Sequence, residues 1–98
     1  MGVEETASAL PTGYQLEQNF PNPFNPTTVV SYQLPVVSDV RLGVYDLLGR
    51  EVAVLVDGHR TAGTYSVRWD ASGFASGVYF YRLNAGQYVE SRKMVLMK

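Results

Sequence analysis

The chain has 98 residues, 8 basic and 9 acidic side chains, a formal charge of −1 and no cysteine. That length fits one domain, and the missing cysteines exclude a disulfide framework and a thiolate metal site. The near-neutral charge offers no field to nucleic acid or an anionic membrane, and no apolar run approaches the ~20 residues of a membrane-spanning helix.

The acidic start, Met1-Gly2-Val3-Glu4-Glu5, lacks the apolar stretch of a secretory signal. Residues 1–13 carry Glu, Thr, Ala, Ser, Pro and Gly without a period and read as a linker. Residues 14–98 read as the folded domain. Tyr14–Gln18 alternates and predicts a short first strand. Asn19-Phe20-Pro21-Asn22-Pro23-Phe24-Asn25-Pro26-Thr27-Thr28 follows. Proline fixes φ and lacks an N–H, so this stretch has no place in the middle of a sheet. It is expected to run extended along an edge, with Phe20 and Phe24 pinning it to the core.

Val30, Tyr32 and Leu34 share one parity against Ser31 and Gln33, the pattern of a strand with one buried face, ended by Pro35. Val40, Leu42 and Val44 repeat it. Asp46-Leu47-Leu48-Gly49-Arg50 reads as a hairpin turn with Gly49 at positive φ. A strand is expected over Glu51–Val56, then a loop opened by Asp57-Gly58 and including His59 and Gly63. Tyr65, Val67 and Trp69 mark the next half-buried strand. After loop residues Asp70–Gly77, Val78–Leu83 has apolar residues on both parities and reads as a central strand covered twice. Asn84-Ala85-Gly86 is a second tight turn. Gln87–Met97 is the last strand, with a bulge expected near Ser91. About seven short strands with turn signals every ~8–12 residues predict an all-β, Ig-like antiparallel sandwich.

Catalytic chemistry needs convergent polar groups, and none assembles here. His59 lacks the His/Cys partners of a metal site and reads as a solvated loop residue. Asp46, Asp57 and Asp70 read as turn caps, and Glu4-Glu5 as solvating charge. Trp69, Tyr79 and Tyr81 suit either core packing or a sugar-stacking platform. No cofactor is implied. Lys93-Met94-Val95-Leu96-Met97-Lys98 is an apolar run between lysines. It suits an edge strand with charged gatekeepers, or a strand that a receptor grips by backbone and lysines.

The order of these segments resembles the C-terminal sorting domains (type A) of type IX secretion cargo. The resemblance rests on Tyr14-Gln15-Leu16, the Asn19–Thr28 stretch, Tyr32-Gln33-Leu34-Pro35 and Val44-Tyr45-Asp46-Leu47-Leu48-Gly49-Arg50-Glu51-Val52. It continues through Trp69-Asp70, Ser76–Leu83 and Lys93–Lys98. It implies an Ig-like sandwich attached to an upstream cargo, exported through the periplasm to the outer membrane, cell surface or medium. The implied partners are the type IX translocon and a sortase-like cysteine protease that cleaves within or near residues 1–13. The family motifs map onto Gly77, Tyr79, Arg82, Lys93 and Lys98, and the recognised element is expected in the last hairpin, including Met94, Val95 and Leu96. A domain of this kind is an address label and a substrate. Two other readings stay open: a carbohydrate-binding sandwich appended to an enzyme, and a structural domain of the kind found in flagellar hook-assembly proteins.

Overall fold

The computed structural model describes residues 13–98, so the linker expected over residues 1–13 lies almost wholly outside the described residues. Seven strands follow in chain order: β1 (Gln15–Leu16), β2 (Thr27–Leu34), β3 (Ser38–Tyr45), β4 (Glu51–Arg60), β5 (Gly63–Asp70), β6 (Gly77–Ala85) and β7 (Tyr88–Leu96). They form a three-stranded sheet, β1-β2-β5, and a four-stranded sheet, β4-β3-β6-β7. All ladders between them are antiparallel. The two sheets pack as the Ig-like sandwich that the strand spacing predicts.

Period-two patterning decides which face goes inside. Val30, Tyr32 and Leu34 of β2, Val40, Leu42 and Val44 of β3, and Tyr79, Tyr81, Leu83 and Ala85 of β6 are all buried. Trp69 of β5 sits among Phe24, Phe74 and Tyr79, with ring centroids 5.8, 5.2 and 5.9 Å away. These tilted and edge-on contacts join both sheets and the Asn/Pro segment in one aromatic knot.

The Asn/Pro segment runs as a strap from β1 to β2 by way of the outer edge of β7. Phe24 pairs with Leu96 in a parallel bridge. Its N–H donates to the Val95 carbonyl at 2.9 Å, and its own carbonyl accepts from the Met97 N–H at 2.9 Å. The Asn22 carboxamide oxygen stands in for a peptide carbonyl and accepts from the Val95 N–H at 3.0 Å. Pro21 and Pro23, which have no N–H to satisfy, face solvent. Asn19 is buried, and its side-chain NH2 donates to the Pro21 carbonyl and the Thr28 hydroxyl. Tyr81 fastens the start of the strap. Its hydroxyl donates to the Glu17 carbonyl at 2.6 Å and accepts from the Asn19 N–H at 2.8 Å.

Five expectations are corrected by the structure. Phe24 is an anchor, at 2% exposure, but Phe20 is 79% exposed and bridges Val29 only through its backbone. Residues Asp57–Arg60 are the end of β4, not a loop, because they pair with Ser38–Arg41 of β3. There, Arg41 donates to Asp57 at 3.1 Å and His59 Nδ1 lies 2.6 Å from Asp39. Cross-strand partners thus override the local turn signal of Asp57-Gly58, and Asp57 is no turn cap. Strand β6 is central in its sheet but covered on one face, since Val78 and Phe80 are half-buried and Arg82 is exposed. No bulge occurs at Ser91, because the β6–β7 register is unbroken. Glu90 and Arg92 keep the core parity near the open end of the sandwich, where Arg92 Nε reaches the Leu16 carbonyl at 2.7 Å. The register shifts lie instead between β3 and β4.

Replacing Phe24 with Ala is expected to cost about 3–5 kcal/mol in urea unfolding, whereas Phe20→Ala should change stability by about 0.5 kcal/mol or less. Tyr81→Phe leaves the Glu17 carbonyl and Asn19 N–H without their partner and should cost about 1–3 kcal/mol at neutral pH. Burial pushes the Tyr81 phenol up to about 12 from 10.0. The folded state therefore holds this proton more tightly, and its contribution is lost as pH rises from about 10 towards 12. The stability gap between wild type and Tyr81→Phe should shrink over that window, read by unfolding at stepped pH.

Candidate functional site

The last hairpin is built by β6, a turn and β7. Gly86 takes φ of 60° in the turn, a left-handed conformation that costs a side chain energy and glycine little. Alternation then sorts the residues singled out from the sequence onto two faces. Met94 and Leu96 are fully buried, and Tyr79 sits in the Trp69 knot with its hydroxyl donating to the Ala75 carbonyl at 2.7 Å. Val95 is half-buried, and both its backbone groups are held by the strap. Gly77 opens β6 opposite Leu96. Arg82 and Lys93 face outward and are exposed. Lys98 lies at the far end, its N–H bonded to the Ser76 hydroxyl and its ammonium donating to the Ser72 carbonyl at 2.6 Å.

The structure therefore brings Arg82 and Lys93 together and sets Lys98 apart. Lys93 is directly opposite Phe80, and Arg82 is opposite Ser91 on the same pair of strands, so the two cations are diagonal neighbours. Arg82 stacks over the Tyr45 ring, 4.9 Å from its centroid, and its Nε lies 3.4 Å from the Ser91 hydroxyl. Tyr45, Asp46, Leu47, Gly49, Phe80, Arg82 and Ser91 line a shallow cleft of about 290 Å³ beside this pair. Sequence reading missed Tyr45, Phe80 and Ser91 as parts of this surface. Their shared surface arises only from the pairing of β3 with β6 and of β6 with β7, which brings residues far apart in the chain side by side.

The β3–β4 turn frames one end of the cleft. Gly49 takes φ of 82°. The Asp46 carboxylate accepts from the N–H groups of Arg50 and Leu48 and from the Arg50 guanidinium. The Arg50 backbone bond, followed by its guanidinium and the Leu48 N–H, holds Asp46 below its usual range. Asp70 caps its own turn in the same way and is held low chiefly by the Ser72 hydroxyl.

Trp69, Tyr79 and Tyr81 are buried at 5, 8 and 0% exposure, so they form core and no sugar-stacking platform. His59 stays exposed on β4, as a strand residue rather than a loop residue. Among the described residues no group of three or more His, Asp or Glu side chains could hold a metal ion. No helix among them is long and apolar enough to cross a membrane.

The sandwich presents a hairpin whose outer face carries the exposed Arg82 and Lys93. The family described as the secretion system C-terminal sorting domain matches residues 18–97, and the chain belongs to it. This is the sorting domain of type IX secretion, a family of signals and not of catalysts. No curated protein matches the chain.

Because Asp46 is held low, its contribution to the turn is present above the ordinary aspartate value and is lost as pH falls through the lowered one. Hydrogen exchange should show faster opening at the Leu48 and Arg50 amides in Asp46→Ala at neutral pH. The wild type should lose the same protection on acidification below about pH 4.

Proposed function

We propose that the domain is read, while folded, by the type IX translocon through its last hairpin, and that it sends an upstream cargo to the cell surface or the medium. A sortase-like cysteine protease then cuts within or near residues 1–13 and either attaches the cargo to the surface or releases it. The domain acts as label and substrate in this scheme. The observation that carries the reading is the division of the hairpin: one face completes the core, and the other presents Arg82 and Lys93 to solvent. A receptor reading those two cations also tests that the core behind them is formed. Met94, Val95 and Leu96 contribute by holding β7 in place, and Gly77 and Tyr79 by holding the start of β6. Lys98 belongs to a second contact at the end of the strand.

The test is transport of residues 1–98 fused behind a periplasm-targeted fluorescent reporter, in a host with a working type IX system and in one lacking its translocon. Surface or medium signal should arise only in the working host. Alanine at both Lys93 and Lys98 should reduce it several-fold with an unchanged melting temperature. Full export of that folded double variant would remove the lysines from recognition.

A further inference from the structure

We infer that the partner reading this hairpin adds an extended, acidic segment of its own polypeptide to the open edge of β7 between Val89 and Lys93. The inference rests on the hairpin reading above and specifies the partner's chemistry. Backbone groups in an antiparallel strand turn alternately toward and away from the neighbouring strand. Val95 directs both of its groups to the strap, away from β6. By the same alternation Val89, Ser91 and Lys93 point outward too. The Lys93 carbonyl is taken by the Gln18 carboxamide at 2.8 Å. The Lys93 N–H, and the N–H and C=O of Ser91 and Val89, have no hydrogen-bond partner among the described residues. All three residues are exposed.

Among the described residues the edge of β7 is thus closed by the strap in one half and open in the other. An unpaired edge is a template for another strand, and strand addition is an established mode of peptide recognition. The open stretch spans about five residues, or roughly 16 Å. The strap at Gln18 and Asn22 sets its limit on one side, and the Gly86 turn sets it on the other.

Charge fixes the composition of the guest. Neither Arg82 nor Lys93 forms an ion pair among the described residues. The nearby acids are already engaged, Glu51 by Arg41 at 2.6 Å and Asp46 by Arg50 at 2.9 Å. A strand added to β7 brings alternate side chains within cross-strand reach of Ser91 and Lys93 on the outer face. Carboxylates at those positions meet two free cations, whereas basic residues there are repelled. An anionic polysaccharide or lipid headgroup would use the same cations but would ignore the backbone edge.

Proline separates the two cases. Ser91→Pro deletes an outward N–H and no β6–β7 hydrogen bond, and Ser91→Ala keeps that N–H. In the reporter fusion, Ser91→Pro and the double variant Arg82→Glu/Lys93→Glu should each lower surface signal by about tenfold. Ser91→Ala and Arg82→Lys/Lys93→Arg should leave most of it, with thermal melts confirming folded protein. The purified 98-residue chain is also titrated by NMR with a synthetic Val-Glu-Val-Glu-Val-Glu-Val peptide. The Val89, Ser91 and Lys93 amides should shift and gain exchange protection. The same peptide N-methylated at alternate backbone positions, or carrying Lys for Glu, should do neither. Normal export of folded Ser91→Pro, with export lost on charge reversal, overturns the inference in favour of an anionic polysaccharide or lipid. Unshifted amides in the titration overturn it as well. Retention of the wild-type fusion in the working host counts against the sorting reading itself, and the edge is then decided by the titration alone.

Discussion

The constraint that organises this domain is the exposed edge of its last strand. A four-stranded sheet ending in β7 would offer a full row of unpaired backbone groups to any other chain. Phe24 removes half of that row with two backbone hydrogen bonds to Val95 and Met97, while its ring enters the knot around Trp69. Backbone pairing at the edge and aromatic packing in the core therefore depend on one residue. The path of the chain follows from this. The strap must leave one sheet after β1, cross to the other at β7, and return to start β2, so it staples the two sheets together before the first long strand begins.

The strand at this edge also divides its side chains, and those of β6, between the interior and the surface. Tyr79, Tyr81, Leu83, Met94 and Leu96 spend their side chains on the interior. Phe80, Arg82 and Lys93 are their immediate neighbours in sequence and, with Ser91, form the outer surface. Strand alternation makes the two sets inseparable, because a slip of one residue exchanges them. Folding and display of the outer set are therefore one event.

Much of this was legible in the sequence, and the reasons for the rest are specific. Strand parity placed Val30, Tyr32, Leu34, Val40, Leu42, Val44 and Trp69 inside because a half-buried sheet imposes a period of two on its apolar residues. Gly49 and Gly86 were legible as turn residues because the turns require positive φ. Asp57-Gly58 misled, since its turn propensity is local while the partners that extend β4, Arg41 and Asp39, lie on another strand. Phe20 misled for the opposite reason. Hydrophobicity says a residue can be buried, but only the strap's path says which of two phenylalanines turns inward. The aromatic cleft and the half-open edge were beyond sequence reading altogether, because both arise where strands far apart in the chain come side by side.

The strap's asparagine-proline pairs also bear on chemical ageing. Asparagine deteriorates when the backbone nitrogen of the next residue attacks its side-chain carbonyl and closes a succinimide, which reopens largely as isoaspartate. Asn22 and Asn25 are each followed by a proline, whose nitrogen carries no hydrogen to give up in that closure. Asn19 is followed by Phe20, but its carboxamide is buried and held at both Pro21 and Thr28. The clasp on β7 is thus made of residues whose commonest route of spontaneous decay is blocked by the neighbour that also shapes the strap.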